Sequence, residues 1–90
     1  MVEFEWDEDK SLANLEKHGI DFLNARQLFD GRPLYNSFNE RWEEVRLVST
    51  GRLEENFYTV IWTLRDGKVR IISCRKARNG EKRAYRALHG

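Results

Sequence analysis

The 90-residue chain contains one cysteine, one proline and two histidines. A lone Cys74 cannot close an internal disulfide, and no Cys/His spacing in the sequence suits zinc. His18 falls in a helix-ending His-Gly-Ile and His89 is penultimate, so a paired-histidine acid–base mechanism is not expected. No apolar run approaches the roughly 20 residues of a membrane span. The opening Met-Val-Glu-Phe-Glu-Trp-Asp is acidic where an export signal would be basic, so a cytoplasmic protein is the expectation. Low-complexity stretches, internal repeats and linkers are also missing. Length then implies one domain, 1–90.

What the chain does have is charge, unevenly placed. Residues 65–90 carry nine Lys/Arg against two acids, whereas residues 1–64 carry seven against thirteen. The formal net charge of +1 therefore hides a strongly polar molecule. A basic tail of this density attracts phosphates without regard to base sequence. It also suits an acidic protein partner, and a plain solvated helix face is the bland alternative. Arginine outnumbers lysine six to three in this tail, and its planar fork grips phosphate oxygens in pairs, which favours nucleic acid.

The chain reads as α+β. Val2–Trp6 alternates apolar and acidic residues, as a half-buried strand does. Asp7 then caps a first helix that His18-Gly19-Ile20 stops, and Asp21 caps a second, Phe22 to Phe29, with Phe22, Ala25, Leu28 and Phe29 inward. Everything from Trp42 to Cys74 reads as antiparallel sheet, with a further short strand near Leu34–Phe38. Glu44–Thr50 alternates, Gly51-Arg52 marks a bulge or strand end, and Glu54 and Glu55 fall in a hairpin turn. Asn56–Leu64 is apolar on both faces and should be central. Asp66-Gly67 is the strongest hairpin signal, followed by a strand Lys68–Cys74. A final helix from Arg78 or Asn79 to about Leu88 has an apolar stripe of Ala84, Tyr85 and Leu88 and a basic stripe of Lys82, Arg83 and Arg86. The first two helices should cover one face of the meander.

Two segments carry a resemblance. The first is Phe4-Glu5-Trp6-Asp7-Glu8-Asp9-Lys10 with Asn14, Lys17-His18-Gly19-Ile20-Asp21-Phe22, Ala25 and Phe29. The second is Gly51-Arg52-Leu53, Thr63, Arg65, Arg70-Ile71-Ile72-Ser73-Cys74-Arg75-Lys76-Ala77, Glu81 and Tyr85. Together they resemble the BrnT family of bacterial type II toxins, whose fold is similar to the RelE ribonucleases. The resemblance implies a single RelE-like domain and a metal-independent endoribonuclease that inhibits translation without a cofactor. It implies a DNA-binding antitoxin of BrnA type, held in a heterotetramer or larger complex, through which operator DNA is reached. The chain departs from the family at Cys74, where a small residue such as Ala is usual, and at Arg78, where Ser or Thr would complete a capping box with Glu81. A less firmly fixed last helix is expected, with Asn79 capping one residue later.

Metal-free RNA cleavage uses the RNA's own 2′-hydroxyl and needs cations where charge grows on the phosphate. Arg75, ending the last strand on the Val69/Ile71/Ser73 face, is the expected transition-state stabiliser; the competing reading pairs it with Glu81. Arg52 follows Gly51 and converges on the same site, or is merely exposed. Tyr85 donates a proton or stacks, although packing is the stronger reading. Lys76, Arg78, Lys82 and Arg83 form a general RNA-binding surface. Arg70 should point to the face opposite Arg75, and Arg65 should be simply exposed. Cys74 has no histidine to activate it as a nucleophile. Trp6, Trp42 and Trp62 read as core or interface residues. A non-catalytic RNA- or protein-binding module, or a degenerate toxin acting only in its complex, is the alternative to an enzyme.

Overall fold

The computed structural model describes residues 2–41 and 44–90; Trp42 therefore lies outside the described residues. In chain order the elements are β1 (Phe4–Glu5), α1 (Glu8–His18), α2 (Phe22–Ala25) running into a 3₁₀ turn (Arg26–Phe29), β2 (Leu34–Arg41), β3 (Glu44–Leu53), β4 (Asn56–Arg65), β5 (Lys68–Lys76) and α3 (Asn79–His89). The five strands form one sheet in the order β1-β5-β4-β3-β2. Pairing is antiparallel from β2 to β5, and β1 joins β5 in parallel. This is the expected α+β architecture in one compact domain.

Local signals behave as their chemistry predicts. The Asp7 carboxylate accepts from the Asp9 and Lys10 N–H groups, and Gly19 closes α1 at φ 76°. Asp21 accepts from the Asn24 N–H, although regular helix lasts only to Ala25 before the backbone tightens. Asp66 and Gly67 both have positive φ (53° and 76°), the geometry of a type I′ hairpin. Arg65 and Lys68 pair across it.

The two sheet faces differ in kind. One bears Val60, Val69, Ile71 and Cys74, which pack with Ile20, Phe22, Ala25 and Leu28 from the α1–α2 layer. Phe29 stacks edge-on against Phe4 and Trp62, and Trp6 against Phe22, so both described tryptophans are structural. The other face carries Arg46, Val48, Thr50, Thr59, Ile61, Ser73 and Arg75, in cross-strand register. Helix α3 covers only one end of it: Tyr85 packs edge-on against Phe57, and a His89 ring nitrogen lies 2.8 Å from the Leu34 carbonyl oxygen.

Two sheet details correct the sequence reading. Gly51 neither bulges nor ends its strand, which runs on to Leu53. It is glycine because a Cβ there would sit 2.6 Å from Leu34 Cδ2 and 2.9 Å from Leu28 Cδ2. The irregularity lies instead on β5: Ile61 pairs with Ser73 and Trp62 with Ile71, so Ile72 is the extra residue. Beyond it the alternation flips. Val69 and Ile71 belong to the buried core face and not to the face of Arg75, while Arg70, paired with Thr63, shares the Arg75 face. Arg70 is held there by Glu5 at 3.0 Å.

The inward face of α1 is polar. Ser11 and Asn14 are its buried residues, while Leu12 and Leu15 are exposed. Ser11 Oγ accepts from the Phe22 N–H at 2.9 Å. Asn14 Nδ2 donates to the carbonyls of Ile20 (2.8 Å) and Cys74 (2.7 Å), and its Oδ1 accepts from the Cys74 N–H at 3.2 Å. Backbone groups that would otherwise be buried unpaired thus select polar side chains over leucine.

Candidate functional site

The part of the second sheet face that α3 leaves open forms a depression of about 320 Å³, lined by Asn39, Arg46, Val48, Ile61, Arg75 and Arg78. Three arginines line it from three places in the chain: β3, β5 and the residue preceding α3. Val48 and Ile61, paired across β3 and β4, make its apolar floor.

Arg75 is held in place. Its Nη1 and Nη2 donate to Glu81 Oε1 and Oε2 at 2.7 and 3.0 Å. This is the pairing weighed above against a catalytic role, and the two are compatible. A guanidinium has five N–H donors, and this fork uses two. Its orientation is fixed while three donors remain for a ligand. Glu81 is the hub. It also accepts from the Arg78 N–H at 2.8 Å and from Thr59 Oγ1 at 3.0 Å. Because Thr59 donates its proton to Glu81, the 2.7 Å contact between Thr50 and Thr59 hydroxyls must run from Thr50 to Thr59. A hydrogen-bonded row, Thr50–Thr59–Glu81–Arg75, buried at its threonine end and partly exposed at Glu81 and Arg75, therefore crosses three strands and reaches α3.

The start of α3 differs from the expectation. Arg78, not Asn79, is the N-cap. Arginine has no acceptor, so half of a capping box forms: Glu81 accepts from the Arg78 backbone, and nothing returns the bond. Arg78's side chain is left for the depression.

Burial alone would raise the Glu81 carboxyl pKa. That burial effect is the largest single one, but the Arg75 hydrogen bonds, the Arg78 N–H, the Arg75 charge and the Thr59 hydroxyl together outweigh it, and the net shift is downward from 4.5. A depressed carboxylate adds stability above its unfolded pKa and loses it as pH falls through the folded value. Stability should thus decline below about pH 4.5, and Glu81→Gln should flatten that decline in a urea midpoint series against pH. Cys74 is fully buried, and burial pushes its thiol up to about 12 against a small opposing effect of Arg75. It is a neutral core residue at physiological pH, not a nucleophile.

The other expected site residues are scattered. Arg52 shares the Arg75 face but lies one strand further along the sheet than β4, at the α3-covered end; its Nε donates to the Glu54 carbonyl at 2.9 Å. It does not line the depression. Tyr85 is half-buried between Phe57 and His89, which supports packing. Lys76 and Arg83 are exposed, and Lys82 is half-exposed on α3, all outside the depression lining. Glu54 and Glu55 do form the β3–β4 turn, exposed. Arg46 and Asn39 were not singled out from sequence. The signal for Arg46 was its alternation with Val48 and Thr50, which put it on the open face.

Among the described residues no three His, Cys, Asp or Glu side chains cluster as metal ligands would, and no helix is long and apolar enough to cross a membrane. No curated protein matches the chain significantly. A family model described as the ribonuclease toxin BrnT of type II toxin–antitoxin systems matches residues 6–81. That span includes Arg46, Arg75, Arg78 and Glu81 and leaves Lys82, Arg83 and Tyr85 outside it. The chain belongs to the BrnT family, the ribonuclease toxins of type II toxin–antitoxin systems.

Proposed function

We propose that the protein is a metal-independent endoribonuclease whose reacting phosphate sits in the depression of the open sheet face. The observation that carries this reading is the convergence of Arg46, Arg75 and Arg78 over an apolar floor, with Arg75 aimed by Glu81. In the reaction the RNA 2′-oxygen attacks the adjacent phosphorus and the 5′-oxygen departs, leaving a 2′,3′-cyclic phosphate. Negative charge grows on the non-bridging oxygens, and fixed guanidinium groups stabilise it without reorganising. Glu81 acts through Arg75 as a positioning residue. Lys76, Lys82 and Arg83 supply a surrounding field that concentrates RNA, and Tyr85 anchors α3.

The partner in this reading is a BrnA-type antitoxin whose acidic side chains cover Arg75, Lys76 and Arg83. It would inhibit by blocking the phosphate site and would itself make most operator contacts. The test is incubation of the purified chain with single-stranded RNA in excess EDTA, with mapping of the ends. Cyclic or 3′-phosphate ends formed at an undiminished rate are expected. Loss of cleavage restored by magnesium would overturn the mechanism. Tight binding without cleavage under any condition would favour the non-catalytic module.

A further inference from the structure

A second depression, about 220 Å³, lies where α1 meets the β5 edge and is lined by Lys10, Asn14, Lys17, His18, Ile72 and Ser73 among others. Positions 10, 14, 17 and 18 share one face of a 3.6-residue helix. That face is fixed against the sheet edge, because the Asn14 amide is bonded to both backbone groups of Cys74. No acid lines this depression. Glu8, Asp9 and Glu16 project from other sides of the helix by the same periodicity. The side chains of Lys10, Lys17 and His18 have no hydrogen-bond or ion-pair partner among the described residues, unlike those of Arg70 and Arg75, which are paired with glutamates.

Ser73 connects the two depressions. It pairs with Ile61, which floors the arginine-lined one, and Arg75 is the next residue on its face. The two depressions thus adjoin across β5 at Ser73, with Arg46, Arg75 and Arg78 lining one and Lys10, Lys17 and His18 lining the other. We infer that Lys10, Lys17 and His18 form a second phosphodiester site, which takes the backbone of the same RNA strand after it crosses the β5 edge at Ser73. This rests on the RNA-cleaving reading above. Continuity with the arginine depression favours RNA over an acidic segment of the antitoxin.

The experiment measures Kd for a 2′-O-methyl RNA, which cannot be cut, across a salt series. Single-stranded RNA loses about 0.7 in the log–log salt slope per phosphate contact removed. The Lys10→Ala/Lys17→Ala double variant should therefore show a slope shallower by about 1.4 and a Kd raised about tenfold at low salt. Lys68→Ala, at the far end of β5, is the control and should match the wild type. An unchanged slope in the double variant, with the wild type binding normally, would overturn the inference. So would weakened antitoxin binding with RNA binding intact. A wild-type chain that neither binds nor cuts RNA would instead refute the RNA-cleaving reading itself, and the α1 site with it.

Discussion

Arg75→Ala is expected to lower the rate of RNA cleavage by about two to three orders of magnitude, and so to abolish growth arrest. The size follows from what the proposed mechanism would lose: a preorganised donor group placed to meet the charge that develops on the phosphate, in a site partly screened from water. Arg75 leaves a strand paired on β4 and is held by both oxygens of a carboxylate, so its position is defined more closely than that of the helix-borne Lys82 or Arg83. The fold should survive. Glu81 would keep the Arg78 N–H and the Thr59 hydroxyl, leaving a stability loss of about 1–3 kcal/mol from the missing partner. Arg75→Lys is the informative companion. It keeps the charge but not the fork, so it cannot both engage Glu81 in two bonds and offer donors to phosphate. Activity close to that of Arg75→Ala is expected, with a circular dichroism spectrum like the wild type. Growth arrest by a folded Arg75→Ala protein would contradict the site.

Asn14→Leu is expected to be the most destabilising of the substitutions considered, although leucine is similar in size and more apolar. The amide serves three backbone groups: the Ile20 carbonyl and both the carbonyl and N–H of Cys74. Asn14 is only 7% exposed, so water cannot readily replace it. Leaving buried groups unpaired costs about 1–3 kcal/mol each, so the three groups together give a loss of at least about 3 kcal/mol here. In a domain of this size that lowers Tm by at least about 12 °C. Calorimetry checks it, and a change within about 1 kcal/mol of zero would mean that the α1–β5 contact is not held by these bonds. Because Cys74 directly precedes Arg75, the variant should also lose activity below its melting temperature.

Much of this was legible in the sequence where one residue decides the local geometry. Asp7, Gly19, Asp21 and the Asp66-Gly67 pair each impose a backbone state, and the elements begin and end at them. Features that depend on neighbours distant in sequence were hidden. The buried side of α1 could not be read from apolar spacing, because its buried members are Ser11 and Asn14, chosen by backbone groups that arrive from Phe22 and Cys74. The face of Arg70 was misplaced because counting by twos fails across a bulge; the adjacent Ile71 and Ile72 were the trace of that break. Gly51 looked like a strand break, whereas the close approach of Leu34 and Leu28 that requires it exists only in the folded sheet. The candidate site was half visible. Arg75 and Arg78 stood out by charge and position, but Arg46 and Asn39 lie 29 and 36 residues before Arg75 and join it only through strand order. Arg52 was drawn to the site by sequence proximity to Gly51, and register places it at the end that α3 covers.

The claim that RNA phosphate is held on the open sheet face can be observed directly by following the arginine Nε–H resonances as a 2′-O-methyl RNA is added. The expected result is that Arg46, Arg75 and Arg78 shift together and saturate at one RNA concentration, while Arg65, in the hairpin, does not move. Shifts confined to Arg83 and Arg86 on α3, with Arg75 unchanged, would contradict the account.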